Sequence, residues 1–121
     1  MQLYESSEDY LERILMLKEK NGHVRSIDIS IDMGYSKPSI SRAVKKLKEA
    51  GYITIDENGN IELTKEGLKV ANKIYERHQI LTKYFISIGV PEEIAANDAC
   101  KIEHDLSEET FNALKKEIEN K

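Results

Sequence analysis

The sequence predicts a mainly α protein in two parts: three helices closed by a β-hairpin, then three further helices. Three observations carry that expectation. Apolar residues recur at helical spacing along most of the 121 residues. An Asn-Gly pair, Asn58-Gly59, stands between two short runs rich in isoleucine. The two prolines and six glycines fall at the edges of the periodic stretches rather than forming a flexible, low-complexity chain.

The first helix is signalled by Ser6, with Asp9 three positions on, in the pattern of a capping box. Tyr10, Leu11, Ile14, Leu15 and Leu17 carry it to Asn21-Gly22, a C-cap and turn. Ser26–Met33 alternates polar and apolar residues like a strand, but its place before a turn and a second helical pattern suits a short helix. Gly34-Tyr35-Ser36 is a corner in which Ser36 caps the third helix, and Pro38 falls in the first turn, where a missing N–H is harmless. Ile40, Val44 and Leu47 form an apolar stripe, leaving Lys37, Ser39, Arg42, Lys45 and Lys46 mostly on the exposed side. Gly51 closes this helix. Tyr52–Ile55 and Ile61–Thr64 then flank the turn Asp56–Asn60. Thr64, with Gly67 in the first turn, opens a long helix that runs to the break at Gly89-Val90-Pro91. A fifth helix is expected from about Glu92 through His104, and a sixth starts at Ser107 with Phe111, Leu114 and Ile118 on its apolar side. The order helix, helix, recognition helix, hairpin is that of a winged helix-turn-helix, expected over residues 1–72, with a helical domain over residues 73–121.

Composition bounds the function. With 40% hydrophobic and 33% charged residues, the chain reads as a helix-rich globular protein. No apolar run approaches the roughly 18–20 residues that cross a bilayer, and Met1–Ser7 lacks a basic stretch followed by an apolar one. A cytoplasmic protein with no membrane partner is the expectation. A large enzyme fold with a deep enclosed pocket does not suit this length, and no enzymatic activity is expected. The net charge of −4 is unevenly spread. Lys37–Lys48 holds Lys37, Arg42, Lys45, Lys46 and Lys48 with no acidic residue, while the acidic excess lies mainly in Glu5–Glu12 and Glu92–Glu119. Phosphate backbones respond to local basic patches rather than to the sum.

A helix that enters a major groove needs small or polar residues at its N-terminal end and basic residues to hold register. Ser36-Lys37-Pro38-Ser39-Ile40-Ser41-Arg42 meets that requirement. Arg42 has the fork for a bidentate contact to guanine, and Ser39 and Ser41 have the reach for phosphates or base edges. The expected DNA-facing set is Ser36, Lys37, Pro38, Ser39, Ser41, Arg42, Lys45 and Lys46.

A second constellation points to a metal. Asp9 and Glu12 are three apart on the first helix and share a face, as do Cys100, Glu103 and His104 at i, i+3 and i+4; His78 lies mid-helix between them in sequence. Taken singly, each has another reading. Asp9 and Glu12 suit a helix N-terminus, Cys100 a buried small apolar site, and His78 a partly exposed or hydrogen-bonded position. Together, sulfur, nitrogen and oxygen donors make a transition-metal set.

The chain resembles the diphtheria toxin repressor and manganese transport regulator family over nearly its whole length. The matching stretches are Glu8–Ile14, Ser36–Ser41, Leu63–Gly67, Tyr75–His78 and, most specific, Asp98–His104. The resemblance implies metal ligands at Asp9, Glu12, His78, Cys100, Glu103 and His104. It implies a homodimer joined through the C-terminal helices, double-stranded palindromic operator DNA as partner, and repression of metal-uptake genes when metal is abundant. Iron-type members carry a methionine where Asp9 stands and keep the cysteine; manganese-type members have the aspartate but a glutamate where Cys100 stands. The hybrid leaves Mn²⁺ and Fe²⁺ both open, with Zn²⁺ or Co²⁺ able to bind in vitro. Thr82 and Ala96 replace ligands of an ancillary iron-type site, and the chain's length matches the shorter manganese-type architecture.

The expected mechanism is a clamp. One ion joining the ligands of the DNA-binding lobe to those of the helical lobe sets the recognition helices of a dimer roughly 34 Å apart, one turn of B-DNA. Two rivals compete with this expectation: a winged-helix regulator controlled by a small organic ligand, and a small metal-dependent hydrolase using Glu12 or Glu103 as general base.

Overall fold

The computed structural model describes residues 5–120, with side chains from Ser7 onward. Its elements are α1 (Glu5–Asn21), α2 (Ser26–Met33), α3 (Lys37–Glu49), β1 (Ile53–Ile55), β2 (Ile61–Leu63), α4 (Lys65–Ser87), α5 (Glu92–Ile102) and α6 (Glu108–Glu119). The mainly α winged helix-turn-helix followed by a helical segment is what forms. The chain divides into two compact units between Asn72 and Lys73, within α4.

In the first unit, α1, α2 and α3 pack on one another, with the hairpin against α1 and α3. Ile14, Val24, Ile29, Ile40, Val44, Leu47, Ile53 and Ile61 are buried. Already helical at Glu5, α1 holds Ser6 inside the helix, so Ser6 is not the N-cap expected of it. The polar–apolar alternation of Ser26–Met33 folds as a helix because its ends are fixed. The Arg25 N–H donates to Asp28 Oδ2 at 2.9 Å, and Gly34, at φ 73°, returns its N–H to the Ser30 carbonyl at 2.9 Å. On a helix, period-two spacing cannot bury all three isoleucines. Ile29 goes inside, and Ile27 and Ile31, one turn apart, are left exposed.

Ser36 caps α3 by accepting from the Ser39 N–H at 3.3 Å, with Pro38 in the first turn. Ser36→Ala is expected to lower stability by about 1 kcal/mol, seen as a lower urea midpoint with an unchanged slope; an unchanged midpoint would show the cap to be idle.

The hairpin pairs Ile53 with Leu63, Thr54 with Glu62 and Ile55 with Ile61. No described residue other than glycine has positive φ, so Asn58 does not enter the left-handed region that a two-residue Asn-Gly turn requires. The reversal is made instead by Asp56, whose Oδ1 accepts from the N–H groups of Asn58 at 2.8 Å and Asn60 at 2.9 Å, with Gly59 at φ 83°. The Asn60 N–H leads in holding the Asp56 carboxyl below the usual range. Arg25 ties the turn down through its guanidinium, which donates to the Asn58 carbonyl, and the Ile61 N–H donates to the Val24 carbonyl at 2.8 Å.

Thr64 joins hairpin to α4. Its hydroxyl donates to the Gly51 carbonyl at 2.7 Å and accepts from the Gly67 N–H at 3.1 Å. Gly67 is required by close approach: a Cβ there would overlap the Tyr52 carbonyl oxygen.

In the second unit, Ile74, Leu81, Ala95, Ala99 and Phe111 are buried. Gly89, at φ 104°, ends α4's final turn, and Ser107 caps α6 by accepting from the Thr110 N–H at 3.2 Å. The fifth helix is shorter than expected: α5 stops at Ile102, with Glu103 as C-cap and His104 in the turn beyond. The reason lies on α4, far away in sequence. The carbonyls of Glu103 and Leu106 are taken by Arg77 Nη1, at 3.0 and 2.7 Å, rather than by a continuing helix.

Candidate functional site

Two sites are built, one in each unit. In the first unit, α3 buries Ile40, Val44 and Leu47 and turns its basic side outward. Ser36, Lys37, Pro38, Ser41, Arg42, Lys45 and Lys46 are exposed, and Ser39 is half-buried. Ser36 Oγ and Ser39 Oγ are 2.9 Å apart, and Arg42 Nη2 reaches Ser39 Oγ at 3.4 Å, laying the guanidinium back along the helix toward its N-terminal end. Ser30 Oγ donates to the Tyr35 carbonyl at 2.6 Å, bracing the corner between α2 and α3. A shallow depression lined by Ser26, Ile27, Lys37 and Ser41 borders this face. The residues of the turn, Asp56–Asn60, include no cation, and the guanidinium at the tip is that of Arg25, bound to the Asn58 carbonyl.

Asp9 and Glu12 also belong to this unit, one turn apart on α1. Asp9 is half-buried, and Glu12 is only 2% exposed. A carboxylate taken that far out of water needs compensating charge or hydrogen bonds.

The second unit brings His78, Cys100 and Glu103 together, with one donor atom from each within 4.8 Å of the others. His78 Nδ1 lies 3.0 Å from Glu103 Oε2 and 3.6 Å from Cys100 Sγ, and His104 Nε2 lies 3.5 Å from Glu103 Oε1. Glu103 is fully buried, and its Oε1 has no hydrogen-bond partner among the described residues. The cluster arises because α4 supplies the imidazole while the last turn of α5 and its C-cap supply thiol and carboxylate. Cys100 and Glu103 are three apart, and Glu103 keeps helical φ and ψ at −60° and −26°, so the shared face survives the early end of the helix.

The hydrogen bond with Cys100, then that with Glu103, pushes the His78 pKa up to about 10 against the lowering effect of burial. In the metal-free protein this proton adds stability that is complete below the ordinary value of 6.5 and fades as pH rises through about 10. A metal needs the neutral imidazole, so binding near neutral pH must displace that proton. Apparent metal affinity is therefore expected to climb roughly tenfold per pH unit between pH 6 and 8 for each proton released. Calorimetry in buffers of different ionisation heat counts the protons; none released would contradict this assignment.

A thiol, an imidazole and a buried carboxylate whose second oxygen has no hydrogen-bond partner among the described residues fit a borderline transition-metal ion, and the same set would be a costly way to fill a core. Arg77 lies inside the Tyr75–His78 stretch, where its sequence position alone assigns it no role. The structure places it against the turn that carries Glu103 and His104.

Known proteins share both halves. Residues 2–60 match the iron dependent repressor N-terminal DNA binding domain, and residues 64–120 the iron dependent repressor metal binding and dimerisation domain. The chain belongs to the iron-dependent repressor family. This is the diphtheria toxin repressor and manganese transport regulator group that its motifs resemble. Within the family, it is 37% identical over 108 residues to the transcriptional regulator MntR of Escherichia coli, covering 89% of this chain and 70% of that one. It is 34% identical over 113 residues to an uncharacterised HTH-type transcriptional regulator of Methanocaldococcus jannaschii, covering 92% and 90%. The crystal structure of T. acidophilum IdeR superposes with a TM-score of 0.83 at 26% identity over 97% of this chain. The chain spans 55% of that longer structure. Among the described residues, no helix is long and apolar enough to cross a membrane.

Proposed function

We propose that this chain is a metal-dependent transcriptional repressor that binds palindromic operator DNA as a homodimer when loaded with Mn²⁺ or Fe²⁺, controlling metal-uptake genes. The observation that carries the reading is the convergence of His78, Cys100 and Glu103 in a chain whose other unit presents a capped, basic recognition helix. His78 Nδ1, Cys100 Sγ and the Glu103 carboxylate are the proposed core of the ligand set, with His104 beside them. Asp9 and Glu12 are proposed as further carboxylate ligands on the family resemblance, a role that suits the burial of Glu12. When bound, the ion supplies positive charge where buried carboxylates otherwise stand.

Ser36, Lys37, Pro38, Ser39, Ser41, Arg42, Lys45 and Lys46 form the proposed DNA face. Metal and DNA are then linked ligands: whatever factor metal adds to operator affinity, DNA adds to metal affinity. The donor set does not single out one ion, because Asp9 favours a hard ion and Cys100 a softer one. Elemental analysis of the purified protein, followed by operator titrations with Mn²⁺, Fe²⁺ and Zn²⁺ under reducing conditions, tests the proposal. Metal-enhanced operator binding is expected. Operator binding indifferent to every metal would sink it and leave a small organic ligand as the controlling species.

A further inference from the structure

Arg77 is only 4% exposed, and the proposed ligand set makes no use of it. Burying a guanidinium, which cannot shed its proton, is costly unless the site gives something back. Here Nη1 donates to the carbonyls of Glu103 and Leu106, at 3.0 and 2.7 Å, and the cation lies 5.3 Å from the centre of the Phe111 ring. Nε is buried without a hydrogen-bond partner among the described residues, so the group is held for where its other nitrogen reaches. What Nη1 holds is the turn that follows α5. The two carbonyls bracket His104 and Asp105, and the first belongs to Glu103 itself.

We propose that Arg77 is a positioning residue of the metal site: by gripping the Glu103 and Leu106 carbonyls it fixes the backbone from which the Glu103 carboxylate and His104 imidazole project. The inference rests on the metal reading above. Glu103 is the C-cap, its N–H donating to the Ala99 carbonyl at 3.0 Å as the last bond of the α5 ladder, and His104 lies in the turn beyond. The Glu103 carbonyl and the backbone that carries His104 are therefore only as well placed as the turn. Groups that orient ligands from behind typically contribute 10–100-fold to metal affinity. The same guanidinium rests on the ring of Phe111 in α6, so the turn's position and the seating of α6 share one residue.

Arg77→Met keeps the length and apolar stem but removes both donated bonds. Arg77→Lys keeps the charge and a donor without the planar fork. Phe111→Leu removes the ring and leaves the bonds to the turn. Mn²⁺ titration calorimetry and the visible spectrum of the Co²⁺-loaded protein are measured for all three, below each variant's melting temperature. Positioning predicts that Arg77→Met weakens Mn²⁺ binding by about 10–100-fold and shifts the Co²⁺ bands, that Arg77→Lys falls between, and that Phe111→Leu melts earlier with affinity and spectrum retained. A folded Arg77→Met with wild-type affinity and spectrum overturns the inference. Should Arg77→Met fail to fold, Arg77→Lys and Phe111→Leu decide, and equal effects on metal binding in those two also overturn it. A wild-type protein that binds neither ion instead overturns the metal reading beneath it.

Discussion

Glu103→Gln is expected to leave a folded protein that no longer responds to metal. The substitution keeps the shape of the side chain and an oxygen to face His78, but removes the charge. Because Glu103 is fully buried, its carboxylate pays a desolvation penalty that the His78 imidazolium 3.0 Å away must offset. Replacing the carboxylate by an amide removes the penalty together with one of the two bonds that hold the His78 proton, so the metal-free variant is expected to melt earlier than the wild type near neutral pH and is compared below its own melting temperature. Metal binding loses more. The carboxylate is the proposed anionic ligand, within reach of His78 on one side and 3.5 Å from His104 on the other. Wild-type protein is expected to gain about 2.7 kcal/mol when metal stands at a hundred times its dissociation constant, read as a rise in melting temperature, and operator affinity is expected to rise about 5–150-fold. Glu103→Gln loses both. A variant whose melting temperature and operator affinity still climb with Mn²⁺ would show that Glu103 is not a ligand.

The sequence disclosed the helices and the hairpin because each carries its own local signal: the apolar stripe Ile40–Val44–Leu47, the cap Ser36, the breaks at Gly51 and Gly89. It was least explicit where a distant group decides the backbone. The fifth helix looked continuous through His104 because residues 92–104 are compatible with helix; it ends at Ile102 because Arg77, 26 residues upstream of Glu103, claims the carbonyls beyond. The Asn58-Gly59 pair marked the hairpin correctly, but the turn is made by Asp56, which accepts from the Asn58 and Asn60 N–H groups, and of the pair only Gly59 enters the left-handed region. In the metal cluster, the spacing of Cys100 and Glu103 was legible as a shared face. Their meeting with His78 depends on packing between two helices, which no local pattern encodes.

Removing Arg42 and removing the lysines after it should fail in different ways. Arg42 is exposed, and its Nη2 lies 3.4 Å from Ser39 Oγ, itself 2.9 Å from the cap Ser36. That contact turns the fork toward the N-terminal end of α3, the end that meets base edges when a recognition helix enters the major groove. Arg42→Ala is therefore expected to cost about 1–3 kcal/mol of operator affinity and to relax the preference at one base position. Lys45 and Lys46, further along the exposed side, have no such contact among the described residues and are expected to act as point charges on phosphates. Lys45→Ala and Lys46→Ala are each expected to weaken operator and random DNA alike and to lower the slope of log affinity against log salt by about one. The acidic hairpin tip sharpens the contrast, because Asp56 and Glu57 add no phosphate contact to replace the lost ones. Binding measured on operator and scrambled duplexes across a salt series separates the two classes; if Arg42→Ala weakens both duplexes equally, Arg42 is a phosphate contact and the bases are read elsewhere on α3.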